Sequence, residues 1–339
     1  MKTRTAVASA AIATGAVAAG VVGRAVFRRR HAAPWIDVHP PEDLGTVVSF
    51  DGTGLAVRAA GDPGAPVILL SHGFSLDAST WGRLWPELAG AFRVVVFDHR
   101  SHGRSAPAAH GDLSLRAIGR DLAAVLEAAS PDAPAVVVGH SMGAMAILAL
   151  AEQRPELFGT RILGAAFLGA APADVLRGAM GSVTDILRPR FGSLSDAARR
   201  VERVRRALLA GPADVSAAVA RLTQFGPDAP PEVVDHVVAL AERARREVWI
   251  DGLANLMQMD LRHAVPRVRV PALVVVGAHD RVTPPAAGVE LAGLLPDGRL
   301  RAFDDAGHMV MLERPEELAA ELETFALAAF ADASREGAA

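Results

Sequence analysis

The stretch Gly139-His140-Ser141-Met142-Gly143 contains the pattern Gly-x-Ser-x-Gly. An apolar run over residues 135–138 predicts a buried strand before it, and an alanine- and leucine-rich run over residues 144–151 predicts a helix after it. A serine between a strand and a helix in this pattern lies on a strained turn that pushes its hydroxyl above the strand end. The alternative is a glycine-rich loop with an incidental serine, since short motifs give false positives. The flanking strand and helix favour the strained turn.

The composition of the 339-residue chain excludes several kinds of chemistry. The chain has no cysteine, which excludes disulfides, thiolate nucleophiles and cysteine-ligated metals. It has no tyrosine, so no phenol can serve as an acid, a base or an oxyanion donor. The net charge of −3 gives no support for a nucleic-acid partner, and none is expected. The hydrophobic content of 51% allows a sizeable core.

The N-terminal region differs in charge from the rest of the chain, because residues 1–30 contain basic but no acidic side chains. Residues 5–23 carry no charge and are long enough to span a bilayer. Arginines follow this segment where an export signal would need a small-residue cleavage site. We therefore expect membrane association through a single-pass anchor at residues 5–23, with the body of the chain cytoplasmic by the positive-inside rule. Export through a cleaved signal peptide and a soluble alanine-rich helix are the alternatives.

Strand and helix patterns alternate along most of the chain. Two short runs around Asp51-Gly52 predict a hairpin. Further strands are predicted at residues 66–70, 92–97, 135–138, 161–168, 272–277 and 299–303. Helical spacing or composition predicts helices between and after them, at residues 76–88, 113–129, 144–151 and 315–331. Continuously apolar strands that alternate with helices are typical of a parallel sheet covered on both faces. We therefore predict an α/β fold with a mostly parallel, doubly wound sheet.

A long region without strand patterns interrupts this alternation. Helical stretches are predicted there at residues 183–187, 195–209, 213–222, 231–246 and 248–259. With about ninety residues, the region is too long for a plain connection. We predict a helical cap at residues 173–265, inserted into a core made of residues 34–172 and 266–335. Residues 1–33 would form the N-terminal anchor with its basic flank, and residues 336–339 a tail.

Polar motifs follow several of the predicted strands, and ligands in parallel sheets bind at the carboxyl ends of the strands. Ser141 follows one strand, Asp280 follows the strand at residues 272–277, and His308 lies between the last strand and the last helix. A serine nucleophile needs a base, and that base needs an orienting acid. The order Ser, Asp, His along the chain is the one expected for this type of turn. Asp174 is an alternative acid, and a helix N-cap is an alternative role for Asp280.

Five motifs follow predicted strands: His72-Gly73-Phe74, Asp98-His99-Arg100-Ser101-His102-Gly103-Arg104-Ser105, the serine turn, Gly277 to Asp280, and Gly307-His308. On these motifs the chain resembles the α/β-hydrolase fold superfamily from about residue 44 to residue 331, and within it the esterases, lipases and cofactor-free perhydrolases. Ser101 departs from the family's usual pattern, which has glycine at that position of the turn. His99 and His102 have no third metal ligand converging in sequence, so we expect them to shape this turn.

The resemblance implies a serine hydrolase in which Ser141 is the nucleophile, Asp280 the orienting acid and His308 the general base. It also implies that the backbone N–H groups of Phe74 and Met142 bind the oxyanion. No metal and no organic cofactor is implied. Serine at position 141 argues against dehalogenase and epoxide-hydrolase chemistry, which uses aspartate there in this family.

The expected substrate is a small-molecule carboxylic ester with a short-to-medium acyl chain, cleaved through an acyl-enzyme. A thioesterase, a C–C bond hydrolase and a perhydrolase are alternatives within the fold, and a non-catalytic binding protein on a hydrolase scaffold is the alternative from another class. The oligomeric state is left open. Apolar side chains of the insertion that could roof the pocket are Met180, Ile186, Leu187, Phe191, Leu222, Phe225, Leu256, Met257 and Met259.

Overall fold

The computed structural model describes residues 39–173, 194–209 and 213–336. The strands are β1 (Glu42–Val48), β2 (Gly54–Ala60), β3 (Val67–Ser71), β4 (Arg93–Phe97), β5 (Ala135–His140), β6 (Ile162–Leu168), β7 (Ala272–Gly277) and β8 (Gly298–Phe303). They form one eight-stranded sheet in the order β1-β2-β4-β3-β5-β6-β7-β8. The pairs β1–β2 and β2–β4 are antiparallel, and the other neighbouring strands are parallel. The predicted fold class, an α/β fold with a mostly parallel sheet, is confirmed.

The central strands are apolar throughout because helices cover both faces of the sheet. Successive side chains of a strand point to opposite faces. Leu69 and Val137 belong to a core on one face, whereas Leu70 and Val138 belong to a core on the other. This double burial explains why the strand patterns were continuous runs rather than alternating ones.

Helices pack on both faces of the sheet, and the insertion after β6 adds further helices. The hairpin of β1 and β2 is antiparallel, as the sequence predicted. The helices are α1 (Trp85–Leu88), α2 (Leu115–Ala129), α3 (Met142–Gln153), α4 (Leu194–Leu209), α5 (Ala213–Gln224), α6 (Pro231–Arg243), α7 (Leu253–Gln258), α8 (Pro285–Leu294), α9 (Val310–Glu313) and α10 (Pro315–Glu336).

The prediction of a single helix at residues 76–88 is wrong. The structure has a 3₁₀ turn at Ala78–Trp81, followed by the one-turn helix α1. The Asp77 side chain accepts the N–H of Ser79 at 2.9 Å and so caps the first turn. Pro86 lacks an N–H and its ring disfavours a continuous helix through the preceding turn, which separates the two short elements.

Helix α8 entered the sequence analysis only as the helix that Asp280 could cap, because its alanine- and glycine-rich composition shows no amphipathic period. Its proximity to the sheet depends on Gly288, since a Cβ at this position would overlap Cγ1 of Val276 in β7. The glycine that weakens the helical pattern is therefore the residue that allows the helix to pack closely.

Helices and turns of the insertion follow β6. The helices predicted at residues 195–209, 213–222 and 231–246 correspond to α4, α5 and α6. The predicted helix at residues 248–259 is divided into a π-helical turn at Val248–Gly252 and α7. The helix predicted at residues 183–187 lies outside the described residues. We call residues 194–209 and 213–259 the cap segment; the division of the whole chain into core and cap stays a prediction.

The expectation of a single-pass membrane anchor is corrected here. Within residues 39–173, 194–209 and 213–336, no helix has the length and apolar content needed to cross a bilayer. Residues 5–23, on which the expectation rested, lie outside these ranges. The membrane-anchored localisation is therefore not retained.

Candidate active site

Ser141 lies at the turn between β5 and α3, and its backbone is strained. Its φ of 51° and ψ of −114° place a non-glycine residue in a region that L-amino acids rarely adopt. The Ser141 N–H donates to the carbonyl of Leu168 at 2.9 Å, which ties the turn to the end of β6. The predicted elbow geometry is therefore present at this serine.

The two glycines of the motif allow this turn to pack against its neighbours. A Cβ at Gly139 would lie 2.5 Å from the backbone nitrogen of Ala144 in α3. A Cβ at Gly143 would overlap the carbonyl oxygen of Ser71 at the end of β3. Glycine is thus required at both positions by the close approach of main chains.

Asp280 and His308 meet at the same edge of the sheet, beyond β7 and β8. The N–H at Nδ1 of His308 donates to Oδ2 of Asp280 at 2.7 Å. Both side chains are buried. Gly169, one residue after β6, allows this pair to sit there, because a Cβ on Gly169 would lie 3.0 Å from Nδ1 of His308. The structure thus brings together the predicted acid and base.

Asp280 is held by its own turn as well as by the histidine. Its Oδ1 accepts the backbone N–H groups of Val282 and Thr283, each at 2.8 Å. The cap of α8 is Pro284, so Asp280 closes this turn and is not the N-cap of the helix. Asp174, the alternative acid, lies outside the described residues.

Thr283 is a site residue that sequence reasoning missed. Its hydroxyl donates to Oδ2 of Asp280 at 2.8 Å and lies 3.2 Å from Nδ1 of His308. An Asp and a Thr three residues apart can form a local turn through their side chains. Asp280 and Thr283 have this spacing just after the strand that ends at Gly277, and it is the sequence signal for Thr283. Thr283 fixes the carboxylate oxygen that the histidine contacts.

The loop after β3 carries Phe74, and α3 begins at Met142 beside Ser141. Met142 is the first residue of its helix, so its N–H has no partner within the helix. Gly73 packs close to the serine turn, because a Cβ there would lie 2.7 Å from Nδ1 of His140. The predicted oxyanion residues therefore lie on two segments that contact each other beside Ser141.

His140 is a second residue whose contribution the sequence did not show. Its Nε2 lies 3.0 Å from the carbonyl oxygen of His308, and the two ring centroids are 4.6 Å apart. Burial, and after it the proximity of His308, lowers the pKa of His140 well below its ordinary value. His140 is thus a neutral donor that contacts the backbone of the predicted base.

Three more buried histidines support the loops after β3 and β4. Nε2 of His72 accepts the N–H of His99 at 3.1 Å, and Nε2 of His102 accepts the N–H of Ser75 at 3.3 Å. Because these nitrogens accept, both rings are neutral and carry their proton on Nδ1. Burial is the main cause that lowers the pKa of all three, and it brings the pKa of His102 to about 3. His99 and His102 thus take part in the turn, as expected.

Ser101 lies in the left-handed region, with φ of 60°, which explains why glycine is usual at this point of the turn. Its hydroxyl compensates in part by accepting the N–H of Ala108 at 2.9 Å. Asp98 closes the same loop, accepting the N–H of Ala78 at 2.7 Å and that of Arg104 at 2.8 Å. The loop is therefore ordered despite the departure from glycine.

The cap segment packs on the side chain of Phe74. The Phe74 and Trp249 rings meet edge to face, with centroids 5.1 Å apart. Phe74 and Met257 pack against the same small apolar cluster, which contains Leu253. This arrangement places the π-helical turn and α7 over the predicted oxyanion loop.

The predicted roof residues have different environments. Met257 is half-buried, and Leu222 is exposed. The residues buried within the packing cores are Phe225, Leu256 and Met259. The residues outside the described ranges are Met180, Ile186, Leu187 and Phe191. In the described part of the chain, no group of three or more His, Asp or Glu side chains is arranged to hold a metal ion.

Known proteins share this architecture. The model of the alpha/beta hydrolase fold family matches residues 66–315, and the chain belongs to that family. The chain is 31% identical to a pimeloyl-[acyl-carrier protein] methyl ester esterase of Aromatoleum aromaticum, over 76% of this chain and 97% of that protein. It is 29% identical to epoxide hydrolase A of Mycobacterium tuberculosis, over 82% of this chain and 96% of that one.

A solved structure has a similar fold. The enol-lactonase from Burkholderia xenovorans LB400 superposes with a TM-score of 0.67 at 25% identity, covering 83% of this chain and 98% of the lactonase. These relatives are hydrolases that act on different bonds. They support the general prediction of a hydrolase, and they leave the bond and the substrate to be proposed.

Proposed function

We propose that this protein is a serine hydrolase that cleaves small carboxylic esters through an acyl-enzyme. The observation that carries the proposal is the buried contact of 2.7 Å between His308 and Asp280, at the sheet edge where Ser141 lies on its strained turn. In this proposal Ser141 is the nucleophile, His308 the general base and Asp280 the acid that orients it.

The reaction proceeds in two halves. Oγ of Ser141 attacks the ester carbonyl carbon while Nε2 of His308 takes its proton, since Nδ1 is held by Asp280. The tetrahedral intermediate collapses, the bond between the acyl carbon and the alkoxy oxygen breaks, and His308 gives the proton to the leaving alcohol. Water then attacks the acyl-enzyme with His308 again as the base. The bond between the acyl carbon and Oγ of Ser141 breaks, His308 returns the proton to Oγ, and the carboxylic acid leaves.

The negative oxygen of each tetrahedral intermediate requires donors in place before the reaction. The N–H groups of Phe74 and Met142 are proposed to provide them. The packing of Phe74 against Trp249 and of Gly73 against His140 supports this role, because donors held by surrounding contacts need no reorganisation.

The choice of an ester over other substrates rests on Ser141 and on the relatives. A serine nucleophile is expected for ester and lactone cleavage, whereas epoxide opening in this family uses aspartate at this position. The similarity to a methyl ester esterase supports an ester substrate. A thioester, a C–C bond or peroxyacid formation would use the same three residues, so the bond must be decided by experiment.

The test is labelling of the full-length protein with a fluorophosphonate probe, followed by turnover of matched oxygen esters and thioesters. We expect Ser141 to be labelled, and the oxygen esters to give the higher kcat/KM. Ser141→Ala should abolish labelling and reduce turnover by about 10⁴ to 10⁶. Ser334→Ala, on the last turns of α10, is the matched control and should behave as wild type.

Three outcomes would contradict the proposal. No labelling of a folded wild-type protein would favour the alternative of a non-catalytic binding protein. Turnover by Ser141→Ala within tenfold of wild type would remove the serine from its assigned role. Faster turnover of thioesters than of matched oxygen esters would transfer the assignment to a thioesterase.

A further inference from the structure

Glu313 is a buried carboxylate at the end of α9 that bridges two segments of backbone beside His308. Its Oε1 accepts the N–H of Gly307 at 2.9 Å, and its Oε2 accepts the N–H of Gly226 at 2.7 Å. Gly307 directly precedes His308, and Gly226 lies in the cap segment just after α5. One side chain therefore holds the loop of the proposed base and the cap segment together.

The two bridged segments also contact each other directly. The N–H of His308 donates to the carbonyl of Gln224 at 2.7 Å. A Cβ at Gly307 would lie 2.6 Å from the same carbonyl oxygen, and a Cβ at Gly226 would overlap the carbonyl oxygen of Asp305. Main chain thus packs on main chain, and a small shift of either segment displaces the backbone of His308.

These backbone donors are the main groups that stabilise the carboxylate of Glu313. Burial raises the pKa of Glu313, and the N–H groups of Gly226 and Gly307 oppose that effect. The guanidinium of Arg314 pairs with Asp305, so its effect on Glu313 acts through space. Burying a carboxylate is costly unless it is hydrogen-bonded, and Glu313 has hydrogen bonds to both of its oxygens.

We infer that Glu313 is a positioning residue that holds His308 in place against Asp280 and couples this base to the cap segment. The inference rests on the proposed function, because it assigns a consequence to the position of His308. Glu313 does not touch the substrate in this scheme. It acts by fixing the N–H of Gly307 relative to that of Gly226, which keeps the N–H of His308 on the carbonyl of Gln224.

The test compares Glu313→Gln with Glu313→Asp in the full-length protein. The glutamine keeps one acceptor but turns an NH₂ group toward the second N–H donor, so one of the two bonds is lost and repulsion replaces it. The aspartate keeps the charge and both acceptor atoms, but it is one methylene too short to make both bonds well. Glu316→Gln, on the exposed first turn of α10, is the matched control because it neutralises a nearby carboxylate without touching the bridge.

We expect Glu313→Gln to lower kcat and the rate of fluorophosphonate labelling by about tenfold to a hundredfold, as misplacement of a catalytic group does. KM should change by less than about threefold, because substrate contacts are unaltered. Glu313→Asp should fall between Glu313→Gln and wild type, and Glu316→Gln should match wild type. Circular dichroism and thermal unfolding establish that each variant is folded at the assay temperature.

A folded Glu313→Gln with kcat and labelling rate within twofold of wild type overturns the inference, as does a change confined to KM. If Glu313→Gln fails to fold, Glu313→Asp decides by the same two rates. Labelling needs an activated Ser141 but no particular ester. A wild-type protein that is not labelled therefore rejects the proposed function, whereas equal labelling of wild type and variant rejects only the role of Glu313.

Discussion

Nε2 of His140 donates a hydrogen bond of 3.0 Å to the carbonyl oxygen of His308, so the residue before the proposed nucleophile fixes the backbone of the proposed base. The carbonyl can only accept, and the proton of the neutral His140 ring must therefore lie on Nε2. Nδ1 of the same ring faces Gly73, next to the proposed oxyanion donor Phe74. A single imidazole thus contacts the base loop and the oxyanion loop from the serine turn.

The first prediction tests this contact. His140→Phe keeps an aromatic ring of similar size but leaves the buried carbonyl of His308 without its donor. We expect the free energy of unfolding to fall by about 1–3 kcal/mol, the cost of an unsatisfied buried polar group. We also expect kcat to fall by about tenfold or more as His308 loses support. Urea unfolding and steady-state kinetics measure the two effects.

The exposed His263 offers the control for that experiment, since its ring contacts Glu152 at the surface and lies away from the site. His263→Phe should leave kcat as in wild type. An unchanged kcat in a folded His140→Phe would show that the bond to His308 contributes to stability alone.

The second prediction separates the two candidate acids. Asp280→Asn would offer His308 an amide in place of a carboxylate and favour the wrong tautomer, which costs about 10⁴ in kcat for such a triad. Asp174→Asn should lower kcat by less than about threefold, because Asp280 already contacts Nδ1 of His308. Single-turnover hydrolysis of an aryl ester resolves rates over this range. The reverse ranking of the two variants would transfer the role to Asp174.

Much of the fold could be predicted from the sequence because the central strands, β3 to β7, are buried on both faces. These strands give apolar runs, and every strand predicted from such a run lies in the sheet. Ser141, Asp280 and His308 could be located for the same reason, since each follows the end of a predicted strand. The topology alone then brings the acid and the base to one edge.

The supporting contacts of the site could not be predicted, because they join residues that are distant in sequence. The bond from His140 spans 168 residues to His308, and the bond between Gly226 and Glu313 spans 87. No hydrophobic period and no sequence motif links His140 to His308 or Gly226 to Glu313. Ser101 is an intermediate case: its departure from glycine was visible, but its positive φ and the bond from Ala108 required the structure.

The third prediction concerns the stability of the fold at acidic pH. Burial, followed by the nearby His72, lowers the pKa of His102 to about 3, against about 6.5 in an unfolded chain. As pH falls below 6.5 the unfolded state gains a proton that the folded state does not bind, so the free energy of unfolding decreases. From pH 7.5 to pH 5 this single group should remove about 2 kcal/mol.

His102→Gln isolates this contribution, because glutamine offers a donor and an acceptor but does not titrate in this range. From pH 7.5 to pH 5, the free energy of unfolding of His102→Gln should decrease by about 2 kcal/mol less than that of wild type, as measured by urea unfolding at both pH values. His263→Gln removes an exposed histidine and serves as the control. Equal losses in wild type and His102→Gln would mean that His102 is not kept neutral by its surroundings.

The last prediction concerns the length of the acyl chain. The cap segment packs on Phe74 through Trp249, and the half-buried Met257 lies against the same cluster, so an apolar roof lies close to the proposed oxyanion loop. Methionine side chains adapt to variable shapes. Each buried methylene contributes about 0.8 kcal/mol, so kcat/KM should rise by about fourfold per added carbon until the pocket is full. We expect a maximum at roughly C4 to C8 for a pocket closed by such a roof, measured with p-nitrophenyl esters from acetate to palmitate. A profile that still rises at palmitate would require an open groove and would contradict the closed pocket.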